Sequence, residues 1–412
     1  MKITHLSTYD CGGGAFIAAT RLHMALLESD VDSIFRCAIS SSGLPNILAP
    51  KSKPRTALAY LRSSASWQIS KLQRTFNPIT HSTSCLPSYF HHDLNRSNSD
   101  ILNLHWVQDE FISSKAIGLL RKPIVWTLHD SWPFCGSEHH PRTLEDERFI
   151  HGYTKNNRWH QDSGYDLDRH TWNRKKKEWQ YILEKLYCVA PSSWMADQVK
   201  KSALFRDVRC SIIPNPVPTA FSPRDPGLAR DLFDLPQDKA LILVSNLANG
   251  ADSNKGLQDL VPICQILSHH SLLPIIVSLG SHAPPSSIAG IQTISIPRLT
   301  DALTLSLLYS AVDLVLIPSR IENLPQFATE SLSCGTPVVA YRQGGMSDAV
   351  QHMQNGYLAH PYSIADLTHG ITTILSLKKS SLDPSLDPIV RSWRPDQISR
   401  LYLDLYRSVL SS

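Results

Sequence analysis

Two glutamates eight positions apart, Glu322 and Glu330, stand in the stretch I-E-N-L-P-Q-F-A-T-E-S-L-S-C-G-T-P-V-V-A that runs from Ile321 to Ala340. An ionised carboxylate accepts hydrogen bonds from vicinal hydroxyls. Glu330 therefore suits a ribose, and Glu322 suits hydroxyls on a sugar beyond a diphosphate. The Gly344-Gly345 pair that follows lets backbone N–H groups approach an anion closely. The same carboxylates would also serve as solvated surface residues. What decides between the two readings is the set of elements that must hold them.

That frame is well marked. Leu314 to Ile317 is a short apolar run, Pro325 opens an amphipathic segment that closes at Gly335, and Pro337 to Ala340 is a second apolar run. Proline at a helix start and glycine past its end is the expected asymmetry, so the stretch reads as one βαβ unit. Its helix points N–H groups and a positive dipole end at the loop, where a diphosphate would sit.

The motif E-N-L-P-x4-E-S-L-x-x-G-x-P-V-V-A with a following G-G resembles the glutamate-x7-glutamate signature of retaining GT-B glycosyltransferases of the family-4 type, and within it the bacterial exopolysaccharide (colanic-acid-like) transferases. The resemblance implies an α/β fold of two Rossmann-like domains facing across a cleft, with a C-terminal helix returning to the first domain. It implies transfer of a sugar, with retention of configuration, from a nucleotide-sugar donor to a saccharide or lipid-linked saccharide in polysaccharide biosynthesis. No cofactor and no metal are called for. By the same carry-over, Glu322, Asn323, Leu324, Glu330, Gly344 and Gly345 are donor-side residues, with Glu322 also placed in the catalytic set.

Length and composition agree with such a chain. At 412 residues it is too long for one core. The expected division is a first domain over 1–213 rejoined by the helix 392–412, a proline-dense linker over 214–226, and a nucleotide-sugar domain over 227–391. No run reaches the ~18 apolar residues of a membrane span. Met1 to Thr8 is too short and polar for a signal peptide, and the eight cysteines are scattered without a C-x-x-C pair. A reduced, cytoplasmic setting follows.

Charge is uneven. Up to Leu204 there are 25 Lys/Arg against 19 Asp/Glu, and 51–92 holds six cations and no acid. Leu58, Tyr60, Leu61, Trp67, Ile69 and Leu72 alternate with those cations at roughly helical spacing, as in a segment lying on an anionic membrane surface. A solvated helix face is the plainer reading, there and for the second basic run, Arg174 to Lys177. No nucleic-acid motif accompanies either run.

Along the first half, Ile3 to Leu6 reads as a strand and Ala15 to Glu28 as a helix, joined by Asp10-Cys11-Gly12-Gly13-Gly14. G-x-G-x-x-G fails there because Ile17 takes the third glycine position. Gly13-Gly14-Ala15 instead fits the family's G-G-A turn, and the resemblance thereby counts Gly13 and Gly14 among the donor-binding residues. Strands over 100–106 and 124–128 end near His105 and His129-Asp130, and ligands of parallel sheets lie beyond such strand ends. His129 in T-L-H-D matches the family histidine that contacts the donor sugar, which makes it the second catalytic candidate.

Ser131 to Arg169 reads as a long irregular excursion. Its Asp166-Leu167-Asp168 has the D-x-D form of metal-dependent enzymes but lacks the preceding strand such a site needs.

In the second half, Asn254-Lys255-Gly256 matches the family's K-G, whose lysine contacts the donor diphosphate. The arginine that many members carry a few residues earlier is replaced by Asn246 to Asn249, with Arg320 a candidate substitute. Two other functions share these features: a nucleotide-sugar epimerase with a GT-B fold, and a non-catalytic carbohydrate-binding or assembly protein.

Overall fold

The computed structural model describes residues 1–141, 147–245, 253–270, 273–280, 285–377 and 384–411. The chain divides into two compact units, Met1–Asn215 with Ile398–Ser412, and Pro216–Gln397. Expected site residues fall in both.

The first unit contains β1 (Lys2–Tyr9), β2 (Asp32–Ile39), β3 (Ile47–Leu48), β4 (Gln73–Arg74), β5 (Ile101–Leu104), β6 (Ile124–Thr127), β7 (Ser163–Gly164), β8 (Leu186–Ala190) and β9 (Arg209–Ile212). Seven of these form a parallel sheet in the order β3-β2-β1-β5-β6-β8-β9, while β4 and β7 pair antiparallel beside it. Residues 101–104, 124–127 and 186–190 are buried throughout, as parallel strands covered on both faces must be.

One sheet face is covered by the C-terminal helix Pro395–Ser411. Its buried stripe is Ile398, Tyr402, Tyr406 and Val409, packed against Ile3, Leu22 and Val125. Leu401 and Leu410 lie off that stripe, and both are nearly half exposed. The tyrosines win because their hydroxyls find buried partners, Tyr406 with Asn103 Nδ2 at 2.7 Å and Tyr402 with Thr127 Oγ1 at 3.0 Å.

The excursion after β6 is not a surface loop. Trp132, Phe134, Cys135 and Phe149 sit in the unit's main core. Helix Leu167–Glu178 sends Lys175 inward, where its Nζ donates to the carbonyls of Trp132, Cys135 (3.2 Å) and Gly136 (2.7 Å). The second basic run is thus not a uniformly solvated face, because Lys175 staples the excursion to the core.

The second unit contains β10 (Leu241–Ser245), β11 (Ile275–Leu279), β12 (Ser287–Ile288), β13 (Ile291–Ile296), β14 (Leu314–Ile317), β15 (Val338–Tyr341) and β16 (Gly356–Ala359). Their order is β12-β13-β11-β10-β14-β15-β16, parallel except for β12–β13. The proline-dense stretch after Pro216 belongs to this unit, with Val217 and Phe221 in its core. Helix Gln326–Ser333 lies between β14 and β15 with Pro325 as its N-cap, and Gly335, at φ 76°, closes it. Among the described residues no helix is long and apolar enough to cross a membrane.

Candidate functional site

In the second unit, three distant stretches meet beyond the C-terminal ends of β10, β14 and β15. Gly256, at φ 65°, backs onto the exit of β14 so closely that a Cβ would lie 1.8 Å from the Pro318 carbonyl oxygen. The Arg320 N–H donates to the Asn254 carbonyl at 2.6 Å. These contacts hold Lys255 over the loop after β14, where its Nζ donates to Glu322 Oε1 at 2.7 Å. Lys255 is 42% exposed and Glu322 16%, so the pair sits at the rim with its cation outward.

The loop carrying Glu322 is fixed from the other side. Gly344, at φ 58°, lies against the Glu322 backbone, and the Gly345 N–H donates to the Glu322 carbonyl at 2.8 Å. The sequence reading assigned the N–H groups of this glycine pair to an anion. In the structure the Gly345 N–H is committed to Glu322, and the pair acts first as a support for that loop.

Glu330 is held separately. It is buried within its helix, and its Oε2 accepts from the Tyr309 hydroxyl at 2.7 Å. Asn323 and Leu324 are buried beside the loop, with the Leu324 side chain in the unit's core. Leu324 therefore supports the loop by packing, and only its backbone could face a ligand.

Arg320 donates to both carboxylate oxygens of Asp259, at 3.0 and 3.3 Å, and stacks over Tyr362; Asp259 also accepts from the Tyr341 hydroxyl at 3.0 Å. Its charge is met inside the unit, so the expectation that it replaces a phosphate-binding arginine loses its footing. Positions 246–249, which stand where many family members carry that arginine, lie outside the described residues.

In the first unit the glycine-rich turn caps helix Gly14–Glu28 through Gly13, without a side-chain cap. Gly12 takes φ 98°, and among the described residues no atom would meet a Cβ on Gly14 within 4 Å. Asp10 anchors the turn. Its carboxylate accepts from the Ser40 and Ser42 hydroxyls at 2.5 and 2.7 Å and from two amides. Burial alone would raise its pKa, but these hydrogen bonds bring it below the usual carboxylate value.

His129 follows β6 and is partly exposed. Its Nε2 meets His105 Nδ1 at 3.0 Å, and His105 Nε2 meets His5 Nδ1 at 2.9 Å. Burial drives the pKa of His105 and His5 well down and brings His129 to about 4, against the upward pull of the neighbouring Asp130 charge. All three rings are therefore neutral near pH ~7.

Asp130 accepts from His139 Nδ1 at 2.6 Å and Trp106 Nε1 at 2.9 Å. Burial would raise its pKa, but the His139 contact lowers it further, so it is ionised. Trp106 contacts Phe16 edge-on, and the Phe16 ring lies 3.2 Å from where a Gly13 Cβ would stand. The two expected features of this unit are thus linked through aromatic contacts.

The D-x-D pair is otherwise engaged. Asp166 caps helix Leu167–Glu178 and pairs with Arg148 at 2.9 Å, while Asp168 is buried against Gln73, Ser137 and His81.

Sequence reading missed two groups. His5 sits mid-strand in β1, where nothing in T-H-L-S distinguishes it from a satisfied core residue. Asp109 takes a left-handed backbone (φ 53°), as does Glu110 after it (φ 59°), a strain that persists only where surroundings enforce it. Tyr9 donates to the Asp109 carboxylate at 3.0 Å, and burial raises that carboxyl's pKa against the Tyr9 and Ser63 hydrogen bonds. Asp109 lines a cavity of about 570 Å³ with Tyr9, Arg36, Arg55, Leu58 and Tyr89. Two consecutive left-handed non-glycine residues leave no mark in sequence.

Residues 296–385 match the family model described as Glycosyl transferases group 1. A glycogen synthase from Thermodesulfovibrio yellowstonii is 28% identical over 106 residues, 25% of this chain and 21% of that protein. A D-inositol 3-phosphate glycosyltransferase from Mycobacterium sp. is 41% identical over 68 residues, 16% of each. The chain thus spans about a fifth or less of these curated relatives' length.

Similarity of fold extends over the whole chain. Sucrose-phosphate synthase from Thermosynechococcus elongatus superposes with TM-score 0.67 at 15% identity, covering 100% of both chains. Anabaena HepE in complex with UDP-glucose does so with TM-score 0.65 at 16% identity, covering 99% of this chain and 100% of the other. The fold is GT-B: two Rossmann-like units and a C-terminal helix that packs on the first.

Proposed function

We propose that this chain is a glycosyltransferase. It moves a sugar from a nucleotide-sugar donor to a saccharide or lipid-linked saccharide acceptor with retention of configuration, in polysaccharide biosynthesis and without a metal. The observation that carries this reading is the convergence of Lys255, Glu322 and Gly344-Gly345 on one loop cluster, partly inside the stretch that matches the Glycosyl transferases group 1 model.

The chemistry follows from what a departing diphosphate needs, namely cations and aligned dipoles placed before the bond breaks. Lys255 supplies the cation and the N-terminus of helix Gln326–Ser333 the dipole. An arriving diphosphate exchanges with Glu322 as the partner of Lys255, which turns the carboxylate to the sugar hydroxyls. Glu330, oriented by Tyr309, takes the ribose.

Glu322 and Glu330 then act as a clamp. A hydrolytic carboxyl pair would instead flank the scissile bond about 5 Å apart in a retaining enzyme. The metal-free reading draws support from the prior engagement of Asp166 with Arg148 and of Asp168 with Gln73 and Ser137. His129 orients the donor sugar, and the leaving phosphate helps deprotonate the acceptor on the same face. The acceptor takes the first unit's cavity, whose wall joins Arg36 and Arg55 to Leu58 and Tyr89.

The protein works on the cytoplasmic side of an anionic membrane in this reading. Helix Lys53–Ser70 and the segment after it expose Leu58, Tyr60, Leu61, Trp67 and Leu72, with Lys71 Nζ over the Trp67 ring. Aromatic and aliphatic groups set among cations suit an anionic lipid surface.

The test is nucleotide release from a panel of sugar nucleotides, starting with UDP-glucose because HepE was solved with it, with and without oligosaccharide acceptors. Acceptor-dependent release of nucleoside diphosphate is expected. Sugar interconversion without an acceptor, or no release from any donor, overturns the proposal.

A further inference from the structure

We infer that the histidine chain His5–His105–His129, buried at His5 and His105 and partly exposed at His129, is a positioning device, which holds His129 in its Nδ1–H tautomer and so presents a hydrogen-bond donor at the end of β6. Three neutral imidazoles carry three N–H groups, one each. Two of these are consumed inside the chain, at the 2.9 Å contact between His5 Nδ1 and His105 Nε2 and at the 3.0 Å contact between His105 Nδ1 and His129 Nε2. The third has only two places to go, His5 Nε2 or His129 Nδ1, and the direction of both inner hydrogen bonds follows from that choice.

Two independent observations decide it. His5 is fully buried and its Nε2 has no hydrogen-bond partner among the described residues. A buried orphan N–H is the rarer of the two unmet states, so this nitrogen carries the lone pair. At the other end, His129 adjoins Asp130, an ionised carboxylate held by His139 and Trp106. A fixed negative charge orients a chain of neutral dipoles with its N–H end toward itself. Both point the same way: His5 Nδ1–H donates to His105, His105 Nδ1–H donates to His129, and His129 keeps its own proton on Nδ1.

The lack of a partner at His5 Nε2 also separates this device from a proton relay. A relay needs an exchange site at each end, and this chain stops at the His5 Nε2 atom in the core. His23, whose ring centroid lies 5.7 Å from that of His5, is turned to other partners, Ser33 Oγ at 2.7 Å and the Pro45 carbonyl at 3.1 Å. The chain can hold a tautomer but, among the described residues, has no route by which to pass a proton on.

The tautomer assignment stands on the two ring-to-ring contacts, the buried His5 Nε2 and the Asp130 charge, with all three rings neutral. Its use, donation from His129 Nδ1 to an oxygen of the donor sugar, rests on the glycosyl-transfer reading. The experiment separates the two. Nitrogen-15 histidine spectra of the full-chain protein without substrate report which ring nitrogen bears the proton. All three histidines are expected as Nδ1–H, the tautomer that free imidazole side chains disfavour. A wild-type His129 protonated on Nε2 overturns the assignment whatever the enzyme does.

Two variants read the middle link. His105→Gln keeps an amide N–H for His129 Nε2 and should preserve the Nδ1–H signal. His105→Leu should release His129 to a mixture of tautomers and, with an active donor, raise its KM about tenfold with kcat less affected, the scale of one hydrogen bond. A His105→Leu protein that melts cooperatively and still shows His129 wholly as Nδ1–H overturns the positioning role.

Discussion

A Cβ on Gly344 would stand 2.1 Å from the carbonyl oxygen of Glu322, in a backbone conformation of φ 58° that L side chains rarely adopt. The carboxylate loop and the glycine turn are therefore two sides of one contact, twenty-two residues apart in sequence. Gly344→Ala must either move the Glu322 loop or distort β15's exit. We expect a loss of about 2 kcal/mol or more in unfolding free energy, read as a lower denaturant midpoint at unchanged slope. Donor turnover should fall with it. A G344A protein of wild-type stability and activity would show that the contact does not set the loop.

The Lys255–Glu322 pair predicts a different signature. Because Lys255 is 42% exposed, breaking the pair should change stability by no more than about 1 kcal/mol. Lys255→Ala and Glu322→Ala should nonetheless each lower turnover at least ~100-fold, on the scale of ~3 kcal/mol of transition-state stabilisation. Near-wild-type turnover in both variants removes these residues from the site.

Tyr309 supports Glu330 from a neighbouring helix through a 2.7 Å hydrogen bond. Tyr309→Phe leaves a buried carboxylate oxygen short of a donor, at a cost of roughly 1–3 kcal/mol. The donor KM should rise while kcat changes less, because a binding group has lost its orientation and the reacting centre has not. Steady-state kinetics on a single donor make the comparison.

Stability should fall on acidification. His5, His105 and His129 have folded pKa values depressed chiefly by burial, His129 to about 4, with His23 beside His5 and Asp130 pulling His129 the other way. In the unfolded chain they return to about 6.5, so below that pH the unfolded state binds more protons and stability drops until the folded values are reached. Denaturant midpoints between pH about 7 and 5 should decline, and less steeply in His105→Leu. A pH-independent midpoint would show that the three rings take up protons alike in the folded and the unfolded chain.

Binding to anionic vesicles tests the exposed helix Lys53–Ser70. Co-sedimentation with anionic liposomes at low salt is expected, weakened by replacing Trp67 and Lys71 with alanine and by added salt. Absence of binding at low salt sinks the membrane reading without touching the transferase site.

Much of the second unit's candidate site could be read in the chain because its signals are local. The β14-loop-helix-β15 unit announces itself through Pro325, Gly335 and two apolar runs, and its residues fall within thirty positions of each other. The excursion after β6 could not be read in this way. Trp132 and Phe134 give no period, and their partners Trp179 and Phe205, like the Lys175 that ties down the backbone beside them, lie about forty to seventy residues downstream. The terminal helix was legible as a helix but not in its facing, since Leu401 and Tyr402 compete for one stripe and partners on β5 and β6 decide for tyrosine.

Sequence by itself determined the two-domain α/β architecture, the glutamate pair, the K-G loop and the histidine at the end of β6. Each of these depends on residue types at short spacings. Only the tertiary structure decided that Glu322 is paired with Lys255 and backed by Gly344, that Arg320 belongs to Asp259, and that His129 ends a chain beginning at His5. Such relations join residues 22 to 100 positions apart. They arise when parallel strands bring their C-terminal ends together, a consequence of sheet order that no spacing along the chain records.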